Sequence, residues 1–203
     1  MISQELNVAI RNTLATLVTH AEELGDLDAA LGDGDLGITI SLGSKAVIAS
    51  LESISAEATP AEVIQACATS FAEANPSTFA ALISGGLLAG ARVFVGKSEI
   101  TMLDAANFIK AVADSISTRG RSVAGDKTVL DAILPASDAL AANLNSESAL
   151  DSAIDAAEQA VNETKMMQSK RGRAAWLQER SIGLQDPGAT AFLYFLKSWK
   201  ASN

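Results

Sequence analysis

The sequence predicts an all-α fold of eight helices, and three observations predict it. Apolar residues recur at steps of three and four along most of the chain, the spacing of one buried helical face. No segment alternates apolar and polar residues with period two over a useful length. The composition is 48% hydrophobic but only 4% aromatic, so the core must be built from Ala, Leu, Ile and Val. Abundant alanine favours helices that approach closely. A chain of 203 residues suits one domain, 1–203, with a sizeable core.

Each helix has its own signal. Leu6, Ile10, Leu14, Leu17, Ala21 and Leu24 mark a first helix that Gly25 can close. Ile40, Val47, Leu51 and Ile54 mark a second. Thr59-Pro60-Ala61-Glu62 sets a cap, a first-turn proline and a capping-box glutamate in order, opening a third. Asn75-Pro76 stops it, and residues 77–95 form a fourth, apolar nearly all round. Thr101 with Asp104 opens a fifth, running to about Thr118. Residues 128–144 form a sixth, with Pro135 placed to kink it. Residues 146–169 and 188–200 complete the set. Three loops rich in glycine and charge interrupt the pattern, at 25–37, 119–127 and 170–187, and function usually sits on such loops.

The formal net charge of −9 and a pI near 4.6 argue against nucleic acid or an anionic membrane as the main partner. Cys67 stands alone, which excludes an internal disulfide and a cysteine-rich zinc site. The first residues lack a basic region followed by an apolar block, and the uncharged stretch 79–91 is too short to span a bilayer. A cytoplasmic location is the expectation.

Two apparent nucleotide motifs fail on inspection. Gly32-Asp33-Gly34-Asp35-Leu36-Gly37 spells G-x-G-x-x-G, but no strand precedes it, and Asp33 and Asp35 would repel a pyrophosphate. Gly90–Ser98 (GARVFVGKS) puts five residues between its glycines where a P-loop needs four, and it trails a helix.

The aspartates of the first loop are themselves the chemical signal. Between Arg11 and Lys45 stand six acids and no Lys or Arg. Asp28, Asp33 and Asp35 share a short loop with glycines, so their carboxylates can converge. Clustered carboxylates cost free energy unless a cation joins them. Oxygen donors without His or Cys suit Mg²⁺ better than Zn²⁺, and Mg²⁺ on few carboxylates completes its shell with water and phosphate oxygens. The competing account is a solvated acidic turn at the start of helix two. The third loop carries the opposite sign, with Lys165, Lys170, Arg171, Arg173 and Arg180 within sixteen positions. These cations suit either the end of helix seven or a clamp on phosphoryl oxygens. Asp186-Pro187-Gly188 then starts the last helix, whose free amides form a further anion site.

Three blocks, LDAALGDGDLG, RGRSVAGDKTVLD and GRAAWLQERSIGLQDPGATA, resemble the nucleotide-binding L subunit of bacterial dihydroxyacetone kinases and the homologous C-terminal domain of ATP-dependent dihydroxyacetone kinases. The blocks keep the family's order across nearly the whole chain. The resemblance implies an eight-helix antiparallel barrel, in agreement with the helix count. It implies that Asp28, Asp33 and Asp35 hold two Mg²⁺ ions bridging the phosphates of ADP or ATP. It assigns Leu36, Gly37 and Thr39, then Ser77 and Thr78, to the nucleotide site. Gly120, Thr128 and Val129 fall on one side of the implied pocket, and Arg180, Asp186, Pro187 and Gly188 on the other. Arg180 is the candidate for contacting the transferred phosphoryl group.

Two departures stand out. Leu36 replaces the family's His or Cys, and Asn75-Pro76-Ser77-Thr78-Phe79 replaces a glycine-rich stretch, although Ser77 and Thr78 keep hydroxyls. In the family a separate K-type subunit holds the ketose covalently on a histidine. The lone His20, beside Leu17 and Leu24 on the first predicted helix, does not suit that role. The implied function is phosphoryl transfer from a Mg-bound adenine nucleotide to dihydroxyacetone or a related ketose on that partner. A phosphocarrier protein of the phosphotransferase system is a further implied partner, rephosphorylating a retained ADP; in the other variant ATP exchanges freely. A homodimer is left open. The altered 77–79 region favours an alternative, a non-catalytic nucleotide-binding regulator acting through a protein partner.

Overall fold

The computed structural model describes residues 1–203 and contains nine α-helices, with no strand beyond one isolated bridge between Ile2 and Glu99. They are α1 (Ser3–Leu17), α2 (Ala21–Leu31), α3 (Leu36–Glu52), α4 (Pro60–Ala74), α5 (Thr78–Ala91), α6 (Met102–Gly120), α7 (Leu130–Ala142), α8 (Ala149–Glu163) and α9 (Pro187–Ser202). A 3₁₀ turn, Val18–His20, joins α1 to α2, so these two form one bent stave and the barrel has eight staves. Each of α3 to α9 packs on the next, and α9 returns to α1, closing the ring. Short connections between packed neighbours make successive staves antiparallel. The connections after α2, α4, α6 and α8 therefore gather at one end of the barrel. Those after α3, α5 and α7 lie at the other, where the amide of Ile100 donates to Met1 O at 2.8 Å and Ser3 Oγ donates to Ala58 O at 2.5 Å.

The expected starts at Thr59 and Thr101 are present as complete capping boxes with Glu62 and Asp104. The alanine-built core is clearest at α8, where Ala149, Ala153, Ala157 and Ala160 face inward. Ala132 and Ala136 of α7 join the first three in one cluster. Small side chains let these helix axes approach closely.

Several expected boundaries shift, with one consequence for the site. Gly25 does not end a helix; α2 runs through it to Leu31. Its role is packing. A Cβ on Gly37 of α3 would lie 2.1 Å from Ala21 O and 3.0 Å from Gly25 N, so α2 and α3 cross backbone to backbone at this glycine pair. Asp28 thus sits on the last turn of a helix and not in a loop, and α3 begins at Leu36, earlier than its apolar pattern suggests. The sixth expected helix, α7, starts at Leu130 because the Asp131 carboxylate takes the amides of Gly125 and Thr128, at 2.5 and 2.7 Å. It continues past Pro135 to Ala142. The seventh begins at Ala149 and ends at Glu163, short of the expected Ser169. Arg173–Ser181, expected as loop, is a 3₁₀ segment kinked at Gln178.

Candidate functional site at one end of the barrel

Four connections meet at this end, and side chains tie them together. Asn75 Nδ2 donates to Thr39 Oγ1 at 2.8 Å, linking the α4–α5 connection to α3. Arg173 of the 3₁₀ segment pairs with Asp33 of the α2–α3 connection. Arg171 Nε, just before that segment, donates to Asp126 Oδ2 at 2.8 Å, linking the α8–α9 connection to the α6–α7 connection.

Asp28, Asp33 and Asp35 do converge, each offering a carboxylate oxygen within 4.8 Å of the others. The backbone produces this. Asp28 lies on the last turn of α2, Gly34 turns the chain at φ 74°, and Asp35 occupies the N-cap of α3. Asp28 Oδ2 also accepts the Leu36 amide at 3.2 Å. A helix C-terminus already carries partial negative charge, so Asp28 adds to an unfavourable field, while Asp35 at a helix start opposes it. Arg173 alone brings a cation to the three acids from within the chain. Asp33 is exposed and the other two are half-buried, open to a ligand. An oxygen-only set of this kind fits a hard divalent cation. A cavity of about 390 Å³ lies beside it, lined by residues that include Gly32, Asp33, Arg173 and Trp176.

The other expected site residues divide into exposed and engaged. Thr78 is exposed at the start of α5, and Thr128 is half-buried. Ser77 spends its hydroxyl on the α5 cap, accepting the Ala80 amide at 3.0 Å. Leu36, Gly37 and Thr39 are all buried: Leu36 in the core, Gly37 against α2, Thr39 under Asn75. Gly120 ends α6 beside Ser122 and Leu82, and Val129 is buried at the start of α7. Asp186, Pro187 and Gly188 are buried at the start of α9, where Gly188 lies against Phe79 and Val129. The Asp186 carboxylate caps α9, its Oδ1 accepting the Ala189 amide at 2.7 Å. Burial pushes that carboxyl up to about 7; the Ala189 hydrogen bond opposes this, the charge of Asp131 adds to it, and Lys127 partly offsets it. In the third loop, Lys170, Arg171 and Arg173 all pair with aspartates, which leaves exposed Arg180 as the unpaired arginine of the segment.

Sequence reasoning passed over a second charged cluster. Asp126, Lys127 and Asp131 lie inside the RGRSVAGDKTVLD stretch, yet nothing in their order shows that all three are buried. Lys127 Nζ donates to Ser181 O at 2.5 Å and Met167 O at 3.2 Å. Burial lowers its pKa, and the nearby Asp186 charge opposes that shift. Asp126 is held below the usual carboxylate range although burial works against it, because Arg171 and the Val123 amide bond to it and Arg171 and Lys170 add charge. The only signal available was an acid and a base adjacent in a glycine-containing loop.

Residues 30–201 match the DAK2 domain family. The chain belongs to that family. Among its relatives, the ADP-binding subunit of the PEP-dependent dihydroxyacetone kinase of Escherichia coli is 30% identical over 88% of this chain and 87% of the relative. The L-erythrulose 1-kinase of Mycolicibacterium smegmatis is 33% identical over 93% of this chain but only 35% of its own length. This chain thus spans about a third of some DAK2 relatives and most of others. The crystal structure of the C. freundii dihydroxyacetone kinase in complex with AMP-PNP and Mg²⁺ superposes with a TM-score of 0.75, at 22% identity, covering all of this chain and 34% of that one. This DAK2 chain therefore shares that fold, the helical barrel expected from its sequence. No helix is long and apolar enough to cross a membrane.

Proposed function

We propose that this DAK2 domain is the nucleotide-binding subunit of a dihydroxyacetone-type kinase, transferring a phosphoryl group from a Mg-bound adenine nucleotide to a small ketose. The observation that carries the proposal is the convergence of three carboxylates at the barrel end that also bears the unpaired Arg180. Asp28, Asp33 and Asp35 would hold Mg²⁺, two ions in the fullest form, and bound Mg²⁺ would neutralise phosphate charge. The chain's own residues do the rest by position. Arg180 offers a planar guanidinium to the oxygens of the transferred group, where charge stabilisation dominates catalysis. The start of α5 and the exposed Thr78 hydroxyl offer donors for an anion, with the Ser77 hydroxyl engaged in its cap.

The ketose would arrive on a K-type partner, because the chain's lone histidine is poorly placed to hold it. His20 lies in the turn between α1 and α2, its ring 4.5 Å from that of Tyr194. The E. coli relative is named for ADP and PEP, which supports a retained ADP recharged in place by a phosphocarrier protein. The test is reconstitution. The purified chain alone is expected to phosphorylate no dihydroxyacetone or erythrulose with Mg-ATP, and to do so when a K-type subunit and a phosphoryl donor are supplied. Transfer by the isolated chain, free of contaminating kinase, would refute the division of labour. Absence of any Mg-nucleotide binding by calorimetry would refute the site.

A further inference from the structure

Lys127 is the one buried cation of the molecule, 2% exposed, and its backbone stands at φ 61°. A lysine occupies that left-handed region only where its surroundings impose it, and such strain gathers at functional sites. Burying an ammonium also costs free energy unless partners replace its water. The partners are two carbonyls distant in sequence, Ser181 O and Met167 O. They stand at the two ends of the segment that carries Lys170, Arg171, Arg173 and Arg180.

The tie at Ser181 is the informative one, because Ser181 follows Arg180 directly. The chain makes a tight bend there. Gln178 sits at φ 51°, Ser181 Oγ donates to Gln178 O at 2.6 Å, and the Ile182 amide donates to Glu179 O at 3.0 Å. From below, Ser181 Oγ accepts the Ser169 amide at 2.9 Å. Arg180 has no ionic partner of its own, so only its main chain determines where its guanidinium can reach. Asp126, next to Lys127, grips the far part of the same segment through Arg171.

We propose, on the phosphoryl-transfer reading above, that Lys127 is a positioning residue whose ammonium, tied to Ser181 O, fixes the bend that aims Arg180 at the transferred phosphoryl group. Lys127 does this from beneath the site and touches no substrate. The proposal gives a reason for tolerating a strained, buried cation: a mobile loop would leave a long, unpaired arginine without a defined address. Misplacement by about 1 Å at a reacting centre is enough to cost ~10²-fold in rate.

The experiment uses the full chain with its K-type partner and Lys127→Met, which keeps the stem and removes the ammonium. The kcat is expected to fall by ~10²-fold, while KM for the Mg-nucleotide changes by less than about threefold. In an Arg180→Ala background the same substitution is expected to change kcat by no more than about twofold, because the interaction it serves is already gone. Added propylammonium should restore part of the rate to Lys127→Ala and none to Arg180→Ala. Hydrogen exchange should quicken at residues 178–183 and stay unchanged in α1 and α3. Losses that multiply in the double variant, or a risen KM with kcat intact, would overturn the proposal. If Lys127→Met does not fold, Lys127→Gln, which retains an N–H donor, is read by the same rates and exchange. If wild type transfers no phosphoryl group, the functional reading fails. The exchange at 178–183 then decides by itself whether Lys127 holds the bend.

Discussion

Asp28, Asp33 and Asp35 crowd three like charges within 4.8 Å on an open edge, whereas Lys127 and Asp186 bury an ammonium and a carboxyl beneath the same end of the barrel. The acidic edge has only Arg173 to offset it from within the chain. The buried cluster is satisfied internally, by the carbonyls of Met167 and Ser181 for Lys127 and by the Ala189 amide for Asp186. On the proposed reading, the difference separates a site that would take a cation from solution from a device that would shape backbone. An exposed excess of one charge is an invitation to a ligand, while a buried and bonded charge fixes geometry.

The largest effect expected tests whether the two regions serve one reaction. Arg180→Ala should cut turnover with the K-type partner by ~10³-fold or more and leave Mg-nucleotide affinity within about threefold. Full activity in steady-state assays would reduce Arg180 to a surface cation and detach the buried cluster from catalysis.

Next in size is the response of the acidic edge to ligand. A ligand that binds only the folded state adds about 2.7 kcal/mol at a hundredfold excess over Kd. For a chain of this size that corresponds to a rise in Tm of ~5–10 °C. Mg-ADP should produce it in a thermal melt, and EDTA should remove it. An unchanged Tm would make the acidic edge a solvated turn.

The buried cluster should respond to pH instead. Asp186 titrates at about 7 in the folded protein, against an ordinary 3.8. The folded state thus holds a proton that the unfolded chain releases. Stability from this group is greatest at low pH and is lost as pH rises from ~4 through 7. Asp186→Asn keeps a cap for α9. The difference in Tm between wild type and this variant should therefore shift in the variant's favour as pH rises across that window, and stay flat above it. A difference independent of pH would mean that the carboxylate is ionised throughout.

The smallest effect separates repulsion from pairing at the acidic edge. Asp33→Asn relieves repulsion but gives up the Arg173 pair, and exposed pairs contribute about 0–1 kcal/mol. Without metal, its Tm should stay within ~2 °C of metal-free wild type, while the rise caused by Mg-ADP disappears. A large metal-free loss would show that Arg173 already neutralises the acids.

Local chemistry was legible in the chain. Thr59-Pro60 and Thr101 with Asp104 announced their helices because a cap needs only residues three apart. The eight staves followed from apolar spacing, and the three acids from their density and the absence of nearby cations. The sequence by itself determined the helical class and the candidate metal residues, both set by neighbours along the chain, and its motifs carried the resemblance to dihydroxyacetone kinase L subunits that implied the antiparallel barrel. Tertiary structure decided that Gly25 and Gly37 are a packing pair, that Asp28 rides on a helix, and which arginine stays unpaired. It also decided that Lys127 is buried under Ser181, a partner 54 positions away. Burial and ion pairing depend on which loops share a barrel end, and that is settled only when the eighth stave closes on the first.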